Sequence, residues 1–218
     1  MAKRASVDPI TPVLELFQAR GWTPFDFQIE VWRAYLEGKS GLIHSATGTG
    51  KTLAAWIGPL LEHSDGGSRI SDLGQLGKRN PASELTDPIP DPRLKVLWIT
   101  PLKALAADTV NALRAPLEDL GIDWRVEART GDTTPYQRAK QAKEMPDALV
   151  TTPESLSIML SRLDGRELLS TVQCVVVDEW HELMSSKRGV QTELALARLR
   201  GFQPAMRTWG LSANPWQP

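Results

Sequence analysis

Residues 45–52 have the composition of a loop that binds phosphate, because they read Ser-Ala-Thr-Gly-Thr-Gly-Lys-Thr between a short apolar run and a helical pattern. The glycines let the backbone curl so that its N–H groups point at an anion, and the new helix adds its positive N-terminal end. Lys51 is placed to reach the β- and γ-phosphates of ATP, and the Thr52 hydroxyl to ligate Mg²⁺. A strict phosphate-loop pattern requires glycine where this chain has Ser45. We predict an ATP and Mg²⁺ site formed by Thr47, Gly48, Thr49, Gly50, Lys51 and Thr52.

Two carboxylates follow another apolar run, residues 172–177, which is typical of a parallel strand covered on both faces. Ligands of open α/β sheets bind beside the carboxyl ends of such strands. We therefore predict that Asp178 holds Mg²⁺, directly or through water, and that Glu179 orients or deprotonates an attacking water. The alternative is an acidic helix N-terminus, which is favourable on its own account. That alternative does not explain why the acids coincide with a phosphate loop.

The elements that must position these residues are read from strand and helix patterns that alternate along the chain. We predict strands at 41–44, 96–100, 124–128, 148–151, 172–177 and 207–211, and helices at 51–62, 102–119, 134–143, 153–162 and 189–200. This alternation indicates an α/β fold with a mostly parallel sheet and helices on both faces. Residues 1–40 are expected to form a helical extension, and 41–218 the main domain. Residues 63–93 are rich in glycine and proline and are expected to form a flexible insertion loop.

Length and composition limit the class of protein. The chain has 218 residues, of which 41% are hydrophobic, so it has room for one domain with a sizeable core. Its net charge of −1 creates no global attraction for nucleic acid, which would have to bind a local track of donors. The single cysteine, Cys174, lies in an apolar run and is interpreted as a core residue. Because no signal peptide or membrane span is recognisable, the sequence is consistent with a soluble, cytoplasmic protein.

Two further strand–proline–helix junctions, at residues 100–105 and 151–156, expose backbone N–H groups suited to phosphates. Either junction alone is better explained by ordinary helix capping. Taken in order along the chain, however, the segments resemble the motifs of a superfamily 2 DExH-box helicase. The resemblance covers the Q motif (25–28), motif I (45–52), motif Ia (100–105), a strand-tracking motif (129–133), motif Ib (151–156) and motif II (178–181).

This resemblance implies a RecA-like fold and a role for each motif. Gln28 would pair with the edge of adenine, and Phe25 or Trp22 would stack on it. His181 would connect the ATP site to the nucleic acid. Ser212 and Asn214 would couple hydrolysis to movement, although the family pattern is Ser-Ala-Thr and this chain ends the motif with asparagine. The nucleic-acid contacts would be Pro101, Lys103, Arg129, Thr130, Gly131, Asp132, Thr151, Thr152, Pro153 and Glu154.

Within the superfamily, Trp180 and the Ser-Lys-Arg-Gly segment that follows it are similar to the Lhr-type branch, and more narrowly to bacterial DNA-ligase-associated helicases. That similarity implies 3′-to-5′ movement on single-stranded or partly duplex DNA, a role in DNA repair, and association with a DNA ligase and a nuclease. In the family a second RecA-like domain, which carries arginine fingers, follows the region that ends here at Pro218. We therefore expect the 218-residue chain alone to bind ATP·Mg²⁺ weakly and to hydrolyse it very slowly.

Three alternatives remain open from the sequence. The chain could be a truncated module that binds nucleotide or nucleic acid without acting as a motor. It could be an RNA helicase domain, since a phosphate track exploits what DNA and RNA share. It could also be a phosphate-loop ATPase acting on proteins or small molecules, although the two proline junctions argue against this class.

Overall fold

The computed structural model describes residues 8–64, 94–184 and 186–213. In these ranges six strands form one all-parallel sheet in the order β1-β6-β5-β2-β4-β3. The strands are β1 (Gly41–His44), β2 (Val96–Ile99), β3 (Val126–Arg129), β4 (Ala148–Thr151), β5 (Cys174–Val177) and β6 (Arg207–Ser212). The helices are α1 (Thr11–Ala19), α2 (Asp26–Leu36), α3 (Lys51–Ser64), α4 (Ala106–Leu120), α5 (Pro135–Lys143), α6 (Pro153–Ser161), α7 (Gly165–Leu169), α8 (Trp180–Met184) and α9 (Lys187–Phe202). A short 3₁₀ helix (Lys103–Leu105) precedes α4.

The sheet separates two hydrophobic cores because successive side chains of a strand point to opposite faces. On β2, Val96 and Trp98 pack into a core with helices α1 to α4. Leu97 and Ile99 pack into a second core with helices α6 to α9. The central strands are buried on both faces, as their nearly continuous apolar sequences require. The predicted α/β fold, with a parallel sheet between two helical layers, is confirmed.

Most predicted elements lie within one or two residues of their observed positions, and two short helices were not predicted. Helices α7 and α8 have five residues each, which is too short for a hydrophobic period to show. Residues 63 and 64 of the predicted insertion loop belong to helix α3. Residues 65–93 of that loop lie outside the described residues. In the described part of the chain, no helix is both long and apolar enough to cross a membrane.

A partly buried ion pair joins helices α2 and α3 to strand β6. Arg207 donates to both carboxylate oxygens of Glu62, from Nη1 at 2.6 Å and from Nη2 at 2.8 Å. The Tyr35 hydroxyl donates to the same carboxylate at 2.9 Å, and its ring lies 4.4 Å from the guanidinium. Burial alone would raise the pKa of Glu62, but the hydrogen bonds from Arg207 and Tyr35 outweigh it and lower that pKa. The cluster fixes the helical extension to the sheet.

Substitution Arg207→Met is expected to destabilise the fold by about 2–4 kcal/mol, because it leaves the Glu62 carboxylate without its bidentate partner in a poorly solvated site. The free energy of unfolding in urea is the measurement. Arg33→Met is the matched control: Arg33 pairs with Asp8 where both side chains are about half exposed, so its loss should cost less than about 1 kcal/mol. Equal effects of the two substitutions would show that the cluster around Glu62 stabilises the fold no more than a surface ion pair does.

Candidate nucleotide and nucleic-acid site

The carboxyl ends of all six strands lie along one edge of the sheet, because the sheet is all-parallel. Neighbouring strands are about 4.8 Å apart, so this edge extends about 24 Å from β1 to β3. From β1 to β3 the edge carries the loop 45–50, then Ser212, Asp178, Pro101, Thr152 and Thr130. Segments that the sequence analysis singled out separately are thereby brought onto one continuous surface.

The loop at the end of β1 has the conformation of a phosphate cradle. Gly48 and Gly50 have φ angles of 81° and 82°, in the left-handed region that glycine adopts without strain. The Lys51 ammonium donates to the carbonyls of Ser45 at 2.6 Å and Ala46 at 2.8 Å. The Ser45 hydroxyl lies 2.6 Å from that of Thr49. Serine at position 45 therefore takes part in the hydrogen bonding of the loop, which explains how the departure from the strict glycine pattern is accommodated.

Gln28 connects the N-terminal helices to this loop. Its side chain is 3% exposed; Nε2 donates to the Gly50 carbonyl at 3.1 Å, and Oε1 accepts from the Phe25 backbone N–H at 2.9 Å. The positive φ of Gly50 favours glycine, and a Cβ at this position would also lie 2.6 Å from Nε2 and force Gln28 to move. The Phe25 ring is 56% exposed and stacks on Phe27, whereas Trp22 packs edge-on against Phe17. The structure thus shows Gln28 holding the phosphate loop, while its pairing with adenine stays a prediction.

Asp178 and Glu179 form a tight turn at the end of β5. Asp178 Oδ1 accepts the Glu179 backbone N–H at 2.9 Å, and Oδ2 accepts the Trp98 indole N–H at 3.3 Å. Burial raises the pKa of Asp178 above its ordinary value. Glu179 has a φ of 45° and is the one non-glycine residue with positive φ in the described ranges, a conformation that costs about 1–3 kcal/mol. Such strain at a strand end is typical of a functional turn.

These residues fit a magnesium ion associated with a nucleotide. Asp178 faces the same layer as helix α3, since it follows Cys174 and Val176 on alternate positions and both pack into that core. The positive charge of Lys51 acts on the Asp178 carboxylate and partly opposes the rise in its pKa that burial causes. Thr52 lies in the first turn of α3 and supplies a hydroxyl oxygen. Carboxylate and hydroxyl oxygens are the ligands that Mg²⁺ prefers.

His181 lies between the acidic turn and strand β6. Its Nδ1 is 3.2 Å from the Ser212 hydroxyl and 3.6 Å from a Glu179 carboxylate oxygen. Its Nε2 is 3.6 Å from a carboxylate oxygen of Glu182. The structure thus brings Ser212, a predicted coupling residue, within hydrogen-bonding distance of His181. Asn214, the other predicted coupling residue, lies outside the described residues.

The predicted nucleic-acid segments occupy the other half of the edge, but their side chains differ in exposure. Lys103 and Asp132 are exposed and form an ion pair at 3.0 Å, so a phosphate group would compete with Asp132 for the ammonium. Gly131 is exposed beside them, whereas Thr130 and Pro101 are buried. The Asp132 carboxylate would repel a phosphate. The predicted contact is therefore better assigned to Lys103 than to its acidic partner.

Four of the remaining predicted contacts, Arg129, Thr151, Thr152 and Pro153, are buried residues that shape the backbone. Thr152 caps helix α6, in which Pro153 is the first residue, by accepting from the Ser155 N–H. The Thr151 hydroxyl donates to the Arg129 carbonyl at 2.7 Å. Arg129 is only 4% exposed, and burial lowers the pKa of its guanidinium. The prediction that Arg129 contacts nucleic acid does not fit this position, because its side chain lies beneath the surface. Direct contacts at this end would come from backbone N–H groups.

Arg188, at the start of α9, joins motifs Ia and Ib and was missed by the sequence analysis. Its Nε donates to Glu154 at 2.6 Å, and its Nη1 donates to the Pro101 carbonyl at 3.0 Å. Burial would raise the pKa of Glu154, but backbone and side-chain hydrogen bonds, including those from Thr152 and Arg188, hold it below its ordinary value. The only sequence signal was the Ser-Lys-Arg-Gly segment, which contains this arginine. Glu154 is thus engaged by Arg188.

An open groove of about 840 Å³ connects the two halves of the edge. Its lining includes Pro101, Leu102 and Leu105 from the first junction, and Glu179, His181 and Arg188 from the acidic turn and helices α8 and α9. The groove therefore places the turn that carries the proposed water-activating carboxylate next to the first nucleic-acid junction. Both leucines of this lining, Leu102 and Leu105, are exposed.

A parallel sheet between two helical layers, with a glycine-rich loop and an acidic turn at the carboxyl ends of its strands, is characteristic of a RecA-like domain. The chain belongs to the DEAD/DEAH box helicase family, which residues 25–217 match. It is 38% identical over 186 residues to the ATP-dependent helicase Lhr-Core of Methanothermobacter thermautotrophicus, covering 81% of this chain and 20% of that protein. It is 37% identical over 216 residues to the Lhr helicase/probable uracil glycosylase of Mycolicibacterium smegmatis, covering 94% of this chain and 13% of that protein.

The structure of the Mycobacterium smegmatis helicase Lhr bound to ssDNA and AMP-PNP has the same fold, with a TM-score of 0.77 at 33% sequence identity. The match covers 97% of this chain and 26% of that one. The predicted helicase resemblance, including its Lhr-like character, is confirmed. The chain spans about a fifth or less of the length of the two curated relatives.

Proposed function

We propose that this chain is the N-terminal, ATP-binding domain of an ATP-dependent 3′-to-5′ DNA helicase or translocase acting in DNA repair. The observation that carries the proposal is the continuity of one sheet edge. The phosphate loop and the turn at Asp178 occupy its β1–β5 half, and the junctions at Pro101 and Thr152 occupy the other half. A motor needs this adjacency, because binding and hydrolysis of the nucleotide must change the contacts with the nucleic acid.

In the nucleotide half, Lys51 holds the β- and γ-phosphates and the loop N–H groups surround them. Thr52 and Asp178 hold Mg²⁺, which when bound neutralises charge on the phosphates. Glu179 orients or deprotonates the attacking water. His181 and Ser212, which are in hydrogen-bonding distance, transmit the state of this half toward the groove beside Pro101.

In the other half, the chain binds a single strand through its sugar–phosphate backbone. Lys103 supplies charge, and the starts of the 3₁₀ helix and of α6 supply N–H groups, which suits a motor that moves along any sequence. The Lhr structure with ssDNA and AMP-PNP supports DNA as the substrate. The alternative is an RNA helicase domain, because backbone contacts do not distinguish the two polymers unless a 2′-hydroxyl is bound.

The complete motor includes a second RecA-like domain that closes on the nucleotide and supplies arginine fingers. In related phosphate-loop enzymes such arginines contribute about 10³–10⁵ in rate, so this chain alone should turn over ATP very slowly. A DNA ligase and a nuclease are the partners that the resemblance suggests. We propose that the protein acts with these partners in the cytoplasm.

Strand displacement by a protein that contains this chain and a second RecA-like domain tests the proposal. We expect ATP-dependent displacement from a duplex with a 3′ single-stranded DNA tail, and none when Lys51 is replaced by alanine. Displacement only from a 5′ tail would contradict the polarity, and activity on RNA alone would support the RNA alternative. Binding of both ligands without ATP turnover or displacement would indicate a non-motor module.

Replacing Arg188 with alanine is expected to weaken binding of oligo(dT) about three- to tenfold, which corresponds to about 1 kcal/mol. The substitution removes the side chain that bridges Pro101 and Glu154, so the two junctions are no longer held at fixed positions relative to each other. Because Arg188 and Glu154 are each 44% exposed, the folded state should lose little stability. Fluorescence anisotropy of labelled oligo(dT), with a thermal melt of each variant, makes the measurement.

Arg198→Ala provides the matched control on the same helix. Arg198 is exposed and lies 5.9 Å from the Phe202 ring, away from both junctions. Its removal subtracts the same charge, so it should change oligo(dT) affinity by no more than about twofold. If the two alanine variants bind equally well, general charge rather than positioning explains the effect, and the role given to Arg188 is wrong.

A further inference from the structure

Trp98 contacts the acidic turn from the neighbouring strand. Strands β2 and β5 are in register with Trp98 opposite Val176, so Asp178 lies on the same face, two residues further along β5. A long aromatic side chain reaches such a diagonal neighbour. The Trp98 ring is fully buried, and its Nε1–H donates to Asp178 Oδ2 at 3.3 Å.

This hydrogen bond distinguishes Trp98 from the other buried tryptophans whose indole partners are known. Trp56 donates to the Leu113 carbonyl at 2.9 Å and Trp32 to the Leu53 carbonyl at 3.4 Å, as buried indoles generally require. Trp98 instead donates to a carboxylate. A backbone carbonyl would satisfy a buried indole equally well, so packing alone does not explain why the partner of Trp98 is a carboxylate.

The two donors to Asp178 fix the rotation of its carboxylate. Oδ1 is held by the Glu179 backbone N–H and Oδ2 by the Trp98 indole. Without such contacts the terminal torsion of aspartate is broad. Each oxygen still has a second lone pair available for a ligand.

We propose that Trp98 is a positioning residue for Mg²⁺, whose indole N–H holds the Asp178 carboxylate in the orientation that supports the ion beside the phosphate loop. The inference rests on the proposed nucleotide function and deepens it. Trp98 should then contribute to the increase in nucleotide affinity that Mg²⁺ causes. The affinity for the nucleotide without Mg²⁺ should depend on the phosphate loop instead.

Binding of mant-ATP to the 218-residue chain, with excess MgCl₂ and with EDTA, tests the inference. Loss of a residue that orients a metal ligand typically lowers metal affinity 10- to 100-fold. Because 3.3 Å is a long hydrogen bond, we expect the lower end of this range. Trp98→Phe should therefore reduce the Mg²⁺-dependent gain in mant-ATP affinity about tenfold. Its affinity in EDTA should stay within about twofold of wild type. Trp56→Phe loses the same indole group from the same core and should keep the full gain. An unchanged gain in Trp98→Phe, or equal losses with and without Mg²⁺, would overturn the inference.

A second measurement needs no variant at position 98. In protein labelled with ¹⁵N-tryptophan and assigned by triple-resonance methods, Asp178→Asn is expected to shift the indole resonance of Trp98 and not that of Trp56. An unshifted Trp98 resonance would overturn the inference even if Trp98→Phe does not fold. A wild-type chain whose mant-ATP affinity does not depend on Mg²⁺ would overturn the proposed nucleotide function itself. If Mg²⁺ increases the mant-ATP affinity of wild type and of Trp98→Phe equally, only the role of Trp98 is overturned.

Discussion

Replacing Lys51 with alanine is expected to weaken binding of ATP·Mg²⁺ to the 218-residue chain at least about 100-fold. Hydrogen bonds to charged groups contribute about 1.5–3 kcal/mol each, and the proposed contacts to two phosphates therefore total at least about 3 kcal/mol. The ammonium already lies over the loop, donating to the carbonyls of Ser45 and Ala46. Anisotropy of mant-ATP titrated with each protein in excess Mg²⁺ gives the dissociation constants.

Lys39→Ala is the control for this loss of charge. Lys39 is exposed and pairs with Glu37 at 2.6 Å on the surface that follows helix α2. Its substitution should leave the dissociation constant within about twofold of wild type. A Lys51→Ala protein that melts like wild type and still binds mant-ATP within about threefold would show that residues 45–52 do not cradle the phosphates.

Glu179→Gln is expected to lower kcat for ATP hydrolysis about 10²- to 10³-fold in a protein that contains this chain and a second RecA-like domain. Glutamine keeps the length of the side chain but does not accept a proton from water. Because Mg²⁺ and the phosphates are assigned to other residues, the affinity for mant-ATP should be retained. Steady-state hydrolysis and equilibrium binding, measured on the same preparation, separate the two effects.

Glu182→Gln is a control with the same change of charge and shape, three residues further along. The Glu182 carboxylate is 66% exposed and lies 3.6 Å from His181 on the ring nitrogen opposite to Glu179. We expect its kcat to remain within about twofold of wild type. If Glu179→Gln hydrolyses ATP normally, or if both variants lose activity equally, Glu179 is not the base.

The parts of the site that the sequence predicted are local. Residues 45–52 and 178–181 follow apolar runs directly, so the strand, the turn and the chemistry occur in one short segment. The same holds for Thr152 and Pro153, whose types predict a helix start that the structure contains. Such a local structure depends on residues that are neighbours in the sequence, so it can be predicted from a single sequence.

The parts that were not predicted depend on contacts between distant segments. Trp98 and Asp178 are 80 residues apart, and Arg188 and Pro101 are 87 apart. These contacts exist because β5 lies beside β2 and because α9 packs beside α6, and the strand order is not contained in any local pattern. The burial of Arg129 has the same origin, since an arginine at a strand end is expected to be exposed unless neighbouring elements cover it.

Hydrogen–deuterium exchange of the 218-residue chain tests the central claim that one sheet edge binds both ligands. At saturating concentrations, AMP-PNP with Mg²⁺ should protect residues 45–54 and 178–181, and oligo(dT) should protect residues 101–106, 130–133 and 153–156. Both sets of residues lie at the carboxyl ends of the strands. Protection by either ligand at the opposite edge, or binding of AMP-PNP that leaves residues 45–54 unchanged, would contradict the account.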